Sequence, residues 1–153
     1  MSEKPSSTKG RHPFPWHCVE CNSKEVFPLV SDYSTTLKHD AIPYTIRVPD
    51  MAIPTCRKCG ARVFTIETGD RIAAALRARV GILTPEEIRQ YRATFNLRQQ
   101  ELADQLGVPI DQIEHWEEGG LIQSRAEDNL LRRFFEFREA RRMLEQRATK
   151  VPA

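Results

Sequence analysis

The sequence predicts an α+β protein: a small β-rich N-terminal unit followed by an all-α C-terminal unit that ends in a long helix. Three observations lead there. Every cysteine in the chain sits in one of two Cys-x-x-Cys pairs, Cys18-Val19-Glu20-Cys21 and Cys56-Arg57-Lys58-Cys59. Between and just after the pairs lie three runs rich in β-branched and aromatic residues, at 26–30, 44–48 and 62–66, the composition that strands favour. From Thr68 onward the apolar residues switch to helical spacing, punctuated by capping residues, proline and glycine.

The cysteine pairs imply a metal. A tetrahedral zinc ion takes four soft or borderline ligands at about 2.3 Å, and a tight Cys-x-x-Cys turn delivers two thiolates without straining the backbone. Cys18, Cys21, Cys56 and Cys59 therefore read as the complete shell of one structural zinc ion. Gly60, directly after the last cysteine, permits the positive φ that such a turn needs. Residues 22–55 separate the pairs, which is longer than in a minimal zinc ribbon, so a hairpin or small sheet is expected there. Two disulfides are one alternative, but the chain shows no secretory leader, and a reducing, cytoplasmic compartment is expected. A redox Cys-x-x-Cys is another, and it ordinarily opens a helix in a thioredoxin-like unit that this sequence does not display. His12, His17 and His39 are further candidate ligands, with four thiolates already sufficient. A four-thiolate shell leaves no open position for water or substrate, which argues against a catalytic metal.

Length and charge bound the remainder. A chain of 153 residues has room for two small domains, and the front one is small enough to depend on metal for its folding. No apolar stretch approaches the 18 or so residues that a membrane span needs. The expected organisation is a disordered tail over 1–13, a zinc-binding domain over 14–68, a linker helix over 69–82, a helical domain over 83–148 and a short tail over 149–153. A net charge of +2 is too small to signal nucleic acid by itself.

Helix boundaries follow from local chemistry. Ile72, Leu76 and Val80 share one face of a short helix over 71–80. Thr84-Pro85-Glu86-Glu87 is a capping box with proline at the first helical position, opening a helix to about Phe95. A third helix spans 98–106 and stops at Gly107 in a left-handed conformation. Val108-Pro109 opens a fourth over 110–118, closed by Gly119-Gly120. Ser124-Arg125-Ala126-Glu127 is a second capping box and starts a long helix to about Arg147. Its Leu130, Phe134, Phe137 and Leu144 form an apolar side beyond what one small domain needs, and are the candidate dimerisation surface.

The segment from Leu97 to Gly119 resembles the helix-turn-helix of Xre and Cro-type repressors. Ala103 stands where two helices cross, Gly107 makes the turn, and Leu102, Leu106, Val108, Ile113 and Trp116 supply the core. Trp116-Glu117-x-Gly119 matches the family's ending of the recognition helix, with Glu117 as an internal structural partner. With the two cysteine pairs, Ile42-Pro43-Tyr44-Thr45-Ile46 and Leu83-Thr84-Pro85-Glu86-Glu87-Ile88-Arg89, the order of motifs resembles the MqsA family of antitoxins, whose zinc finger is of the YgiT type. The resemblance implies a zinc unit that binds a ribonuclease toxin and a helical domain that dimerises on a palindromic operator to repress its own operon.

It also implies the DNA-facing residues. The early part of the second helix of the motif enters the major groove, which nominates Ile110, Asp111, Gln112 and His115, while Arg98, Gln99 and Gln100 begin the preceding helix near phosphate. Arg125 is a flanking candidate. This sequence departs from the family by placing Asp111 and His115 where an asparagine and an arginine stand. Residues 84–119 hold three arginines against eight acidic residues, a net of −5, a poor footprint for DNA. Compensation is expected from Arg71, Arg77 and Arg79 before the motif and Arg125, Arg132 and Arg133 after it. The competing expectation is a protein-interaction adaptor that keeps the motif as a scaffold with little DNA affinity. No activated nucleophile and no phosphate-cradling loop points to an enzyme.

Overall fold

One long hairpin fills the spacer between the two cysteine pairs. In the computed structural model, which describes residues 12–149, β1 (Val26–His39) and β2 (Ile42–Cys56) form a two-stranded antiparallel sheet. Asp40 and Ala41 turn the chain with φ of 51° and 64°, the double left-handed geometry that matches the twist of paired strands. Thr36 and Thr45 face each other across the pair, their hydroxyl oxygens 3.1 Å apart. Five helices follow: α1 (Ile66–Val80), α2 (Pro85–Thr94), α3 (Gln99–Leu106), α4 (Ile110–Glu118) and α5 (Arg125–Thr149). The fold is α+β. Among the described residues no helix is long and apolar enough to cross a membrane. The tail expected over 1–13 lies largely outside the described residues, as does the end of the chain from residue 150.

The third expected strand does not form as such. Arg62 makes one isolated bridge to Thr55, and the chain is already helical at Ile66. The reason is a cap that the apolar run concealed: the Thr65 hydroxyl accepts the Thr68 amide at 3.3 Å, and Thr68 returns its own hydroxyl to the Thr65 carbonyl at 2.8 Å. α1 therefore starts before the expected residue 71 and carries Gly69 within it.

The chain divides into two compact units that alternate along the sequence. The described residues up to Tyr33 join Val48–Gly69, and Ser34–Arg47 joins the described residues from Asp70 onward. The hairpin's tip is thus grouped with the helices. Its chemistry explains this. Ile46 is buried with Leu76, Val80 and Ile82, and Leu37 and Tyr44 pack against them. A ring nitrogen of His39 lies 2.8 Å from the Gln123 carbonyl oxygen, and the Arg125 amide donates to Asp40 at 2.7 Å. By the same packing, Leu76 and Val80 of α1 contribute to the core of the helical unit.

The second core of that unit gathers Leu83, Ile88, Leu102, Ala103, Ile113, Trp116, Leu131 and Phe135, with Leu106 and Val108 partly buried against it. These include the residues that helical spacing nominated. Both capping boxes close: Thr84 exchanges bonds with Glu87 at 2.8 and 3.1 Å, and Ser124 with Glu127 at 2.7 and 3.1 Å. Gly107 and Gly119 end α3 and α4 at φ of 71° and 84°, a conformation costly for any residue with a Cβ.

Candidate metal centre and the α3–α4 surface

The two cysteine pairs fold alike. The Asn22 amide donates to the Cys18 carbonyl and the Gly60 amide to the Cys56 carbonyl, each at 2.9 Å, while Cys18 and Cys56 donate to Ser23 and Ala61 at 2.8 Å. Each turn needs a positive φ after its second cysteine, supplied by Asn22 at 55° and Gly60 at 80°. Asparagine is the side chain that best tolerates that region, so Asn22 is the counterpart of Gly60. Val26, Cys18 and Cys56 are buried together, with Trp16, Cys21, Ala61 and Val63 packed around them.

The hairpin and these turns bring all four Sγ atoms within 4.8 Å of one another. Cys18 lies 3.5 Å from Cys59 and Cys21 3.7 Å from Cys56. Disulfide sulfurs would be about 2.05 Å apart, and all four cysteines are free. Tetrahedral ligands at about 2.3 Å stand about 3.8 Å from each other, so the spacing fits one metal ion. Among the described residues no histidine joins the cluster: His17 is exposed and His39 sits in the helical unit.

The crowded thiols perturb one another in opposite directions. The Cys59 amide, the Ser23 hydroxyl and the Lys58 amide hold the Cys56 thiol down to about 6 against the effect of burial. The Ser23 hydroxyl, 3.0 Å from Cys21 Sγ, and its amide lower Cys21 as well. The Ala61 amide favours the Cys59 thiolate, but the Cys18 sulfur, burial and the other two thiols outweigh it and push Cys59 up to about 12. Four thiolates alone cannot share so small a space; a divalent ion removes that repulsion. Ser23 escaped sequence reasoning because a serine after a Cys-x-x-Cys-Asn turn carries no distinctive pattern of its own.

The α3–α4 segment is tied together by one buried carboxylate. Glu117, its side chain 3% exposed, accepts Arg92 Nε at 2.6 Å and Nη2 at 3.0 Å, and Gln99 Nε2 at 2.8 Å. Arg92 also donates to the Leu97 carbonyl, and Arg89 to the Glu117 carbonyl. α2, α3 and α4 thus share a polar core, the internal role expected for Glu117.

Several residues nominated for DNA are placed here by structural bonds. Gln99 is half-buried on Glu117, and Gln112 is half-buried with its amide 2.6 Å from Glu127. Gln100 is exposed and donates to Asp104 at 2.7 Å within its own helix. Arg98 is exposed and pairs with Glu101 at 3.2 Å. Arg125 spends its guanidinium on the Val80 carbonyl. Ile110, Asp111 and His115 remain exposed on α4.

The flanking arginines are largely committed as well. Arg77 is buried and donates to the Gly119 and Leu121 carbonyls at 3.3 and 3.5 Å. Arg132 binds Asp128 at 2.8 Å and the Gly81 carbonyl at 3.2 Å. Arg79 lies over Tyr44, and Arg133 is exposed. Of the nominated dimerisation side, Leu130 and Phe137 are exposed at 43% and 68%. Phe134 instead turns to the core, packed edge-on against Phe135, and the Leu144 side chain lies outside the described residues. No protein-family model matches the chain, and no curated protein matches it.

Proposed function

We propose that this chain is a zinc-containing DNA-binding transcriptional regulator of the MqsA antitoxin type, acting as a homodimer on a palindromic operator in its own upstream DNA. The four-cysteine centre is read as one structural zinc site, with no catalytic role because four thiolates fill a tetrahedral shell. α3, the Gly107 turn and α4 are read as an Xre/Cro-like helix-turn-helix, with α5 as its long closing helix. A ribonuclease-type toxin as partner and a cytoplasmic location belong to the same proposal, and rest on the resemblance alone.

The observation that carries the reading is the pairing of a locked scaffold with an open reading edge. Arg92, Gln99 and Glu117 fix α3 against α4, while Ile110, Asp111 and His115 stand exposed at the start and next turn of α4, where a recognition helix meets base edges. The test is a reporter gene placed behind the chain's own upstream region in a heterologous host. Repression on expression of the protein, lost when that region is replaced by unrelated sequence, supports the proposal; unchanged reporter output refutes it.

A second reading is favoured by a specific feature. Arg89, Arg92 and Arg98, the three arginines between residues 84 and 119, each pair with an acid of the same segment, Glu86, Glu117 and Glu101. What remains is acidic: Glu87, Asp104, Asp111, Glu114 and Glu118. Such a surface suits a protein-interaction adaptor that meets a basic partner.

A further inference from the structure

The helical unit carries an open groove of about 670 Å³ between α2 and α5 that neither the metal centre nor the α3–α4 surface uses. Its size falls in the range of about 300–1,000 Å³ common for small-molecule sites. The floor is aromatic. Tyr91 stacks on Phe135 with ring centroids 5.0 Å apart and planes 18° apart, and Phe95 lies parallel to Phe135 at 6.2 Å. Phe135 is buried, whereas Tyr91 is 44% exposed and so presents the accessible ring of the stack.

The rim is acidic. Glu136 and Glu139 line the groove from α5, with Met143 one turn further along. Glu87 lines it from α2, one of its oxygens held by the Thr84 amide. Among the described residues of the lining the one cation is Arg132, which is drawn to the fully buried Asp128 and to the Gly81 carbonyl. Glu139 meets Arg142 only loosely, at 3.8 Å between two half-exposed side chains. An accessible aromatic ring beside carboxylates attracts positive charge twice, through the ring's quadrupole and through direct Coulomb interaction. The apolar floor adds a requirement for hydrocarbon surface.

We propose that this groove is a binding site for a lipophilic organic cation, an aromatic or branched alkyl body carrying one permanent positive charge. The body packs on Tyr91, Phe95 and Met143, and the charge sits between the Tyr91 ring and Glu136 and Glu139. Tyr91 is adjacent on α2 to Arg92, which grips Glu117 of α4, so the groove and the α4 clamp share one helix. The site does not depend on the regulatory reading above.

Tetraphenylphosphonium and tetraphenylborate, which share shape and differ in the sign of their charge, are the probes. Titrated by calorimetry into the full-length metal-loaded protein, the phosphonium is expected to bind saturably at one site per chain, and the borate at least about tenfold more weakly, a difference of about 1.4 kcal/mol. Glu136→Gln/Glu139→Gln, two exposed positions outside any helix cap, should weaken the phosphonium at least about tenfold with an unchanged thermal midpoint. Tyr91→Leu, which keeps apolar bulk and removes the ring, should weaken it as well. Absence of saturable phosphonium binding, equal affinity for the borate, or unaltered affinity in the double variant would each overturn the proposal.

Discussion

Arg92 and Glu117 form a two-point clamp between α2 and α4, with Nε to Oε1 at 2.6 Å and Nη2 to Oε2 at 3.0 Å, around a carboxylate that is almost wholly buried. Burying a charge is tolerated only when it is paired and its remaining lone pairs are bonded. Gln99 completes that shell. The three side chains therefore stand or fall together, and their failure would release α4 from the scaffold.

Removal of one partner is the sensitive test of this clamp. Glu117→Ala and Arg92→Ala should each destabilise the helical unit by about 3 kcal/mol, the lower end for a buried pair because Arg92 is partly exposed. Gln99→Ala should cost about 1 kcal/mol whether or not DNA is present. The double variant should lose less than the sum of its singles. Urea midpoints measure all four, and a Glu117→Ala cost below about 0.5 kcal/mol would show that the carboxylate is not structural.

Two tryptophans report separately on the two units. Trp16 packs around the cysteine cluster, and Trp116 sits in the core of the helical unit. Structural metal ions ordinarily couple to the folding of small units, so chelation or Cys56→Ser should shift or broaden the Trp16 indole resonance and leave that of Trp116 in place. An unmoved Trp16 signal after metal removal would mean that the front unit folds without its ion. Movement of both would mean that the helical unit also depends on it.

The hairpin turn holds room for stabilisation. Ala41 sits at φ 64°, where a Cβ costs about 1–2 kcal/mol, and glycine recovers part of that while adding freedom to the unfolded chain. Ala41→Gly should therefore raise stability by about 0.5–1 kcal/mol, against the usual direction for glycine substitution. A lowered thermal midpoint would show that the Ala41 methyl contributes packing that outweighs its strain.

Local chemistry was legible in the sequence, and long-range chemistry was not. Both capping boxes, the Gly107 stop and the bounds of α4 follow from residues within a turn of each other, and they stand where spacing put them. The four thiolates were legible because their spacing is itself the signal. The hairpin was harder to read: Asp40-Ala41 lacks the glycine that marks such a turn, and β1 reads as polar because much of it is exposed. The grouping of its tip with the helices depends on His39 and Gln123, and on Asp40 and Arg125, pairs far apart in the chain that no local pattern announces. For the same reason the bonding partners of Gln99, Gln112 and Arg125, namely Glu117, Glu127 and Val80, emerge only in three dimensions.

Asp111 is the residue on which the regulatory reading turns. It is exposed on α4, and an aspartate there either accepts from a cytosine amino group or repels phosphate. Asp111→Asn should strengthen binding to all duplexes in the second case and abolish operator preference in the first. The most direct measurement is fluorescence anisotropy of the metal-loaded protein with its own upstream duplex and an unrelated duplex across a salt series. Tighter binding to the upstream duplex, falling log-linearly with salt, is the expected result. Equal and weak binding to both would contradict it and leave the acidic α3–α4 surface as a protein-docking face.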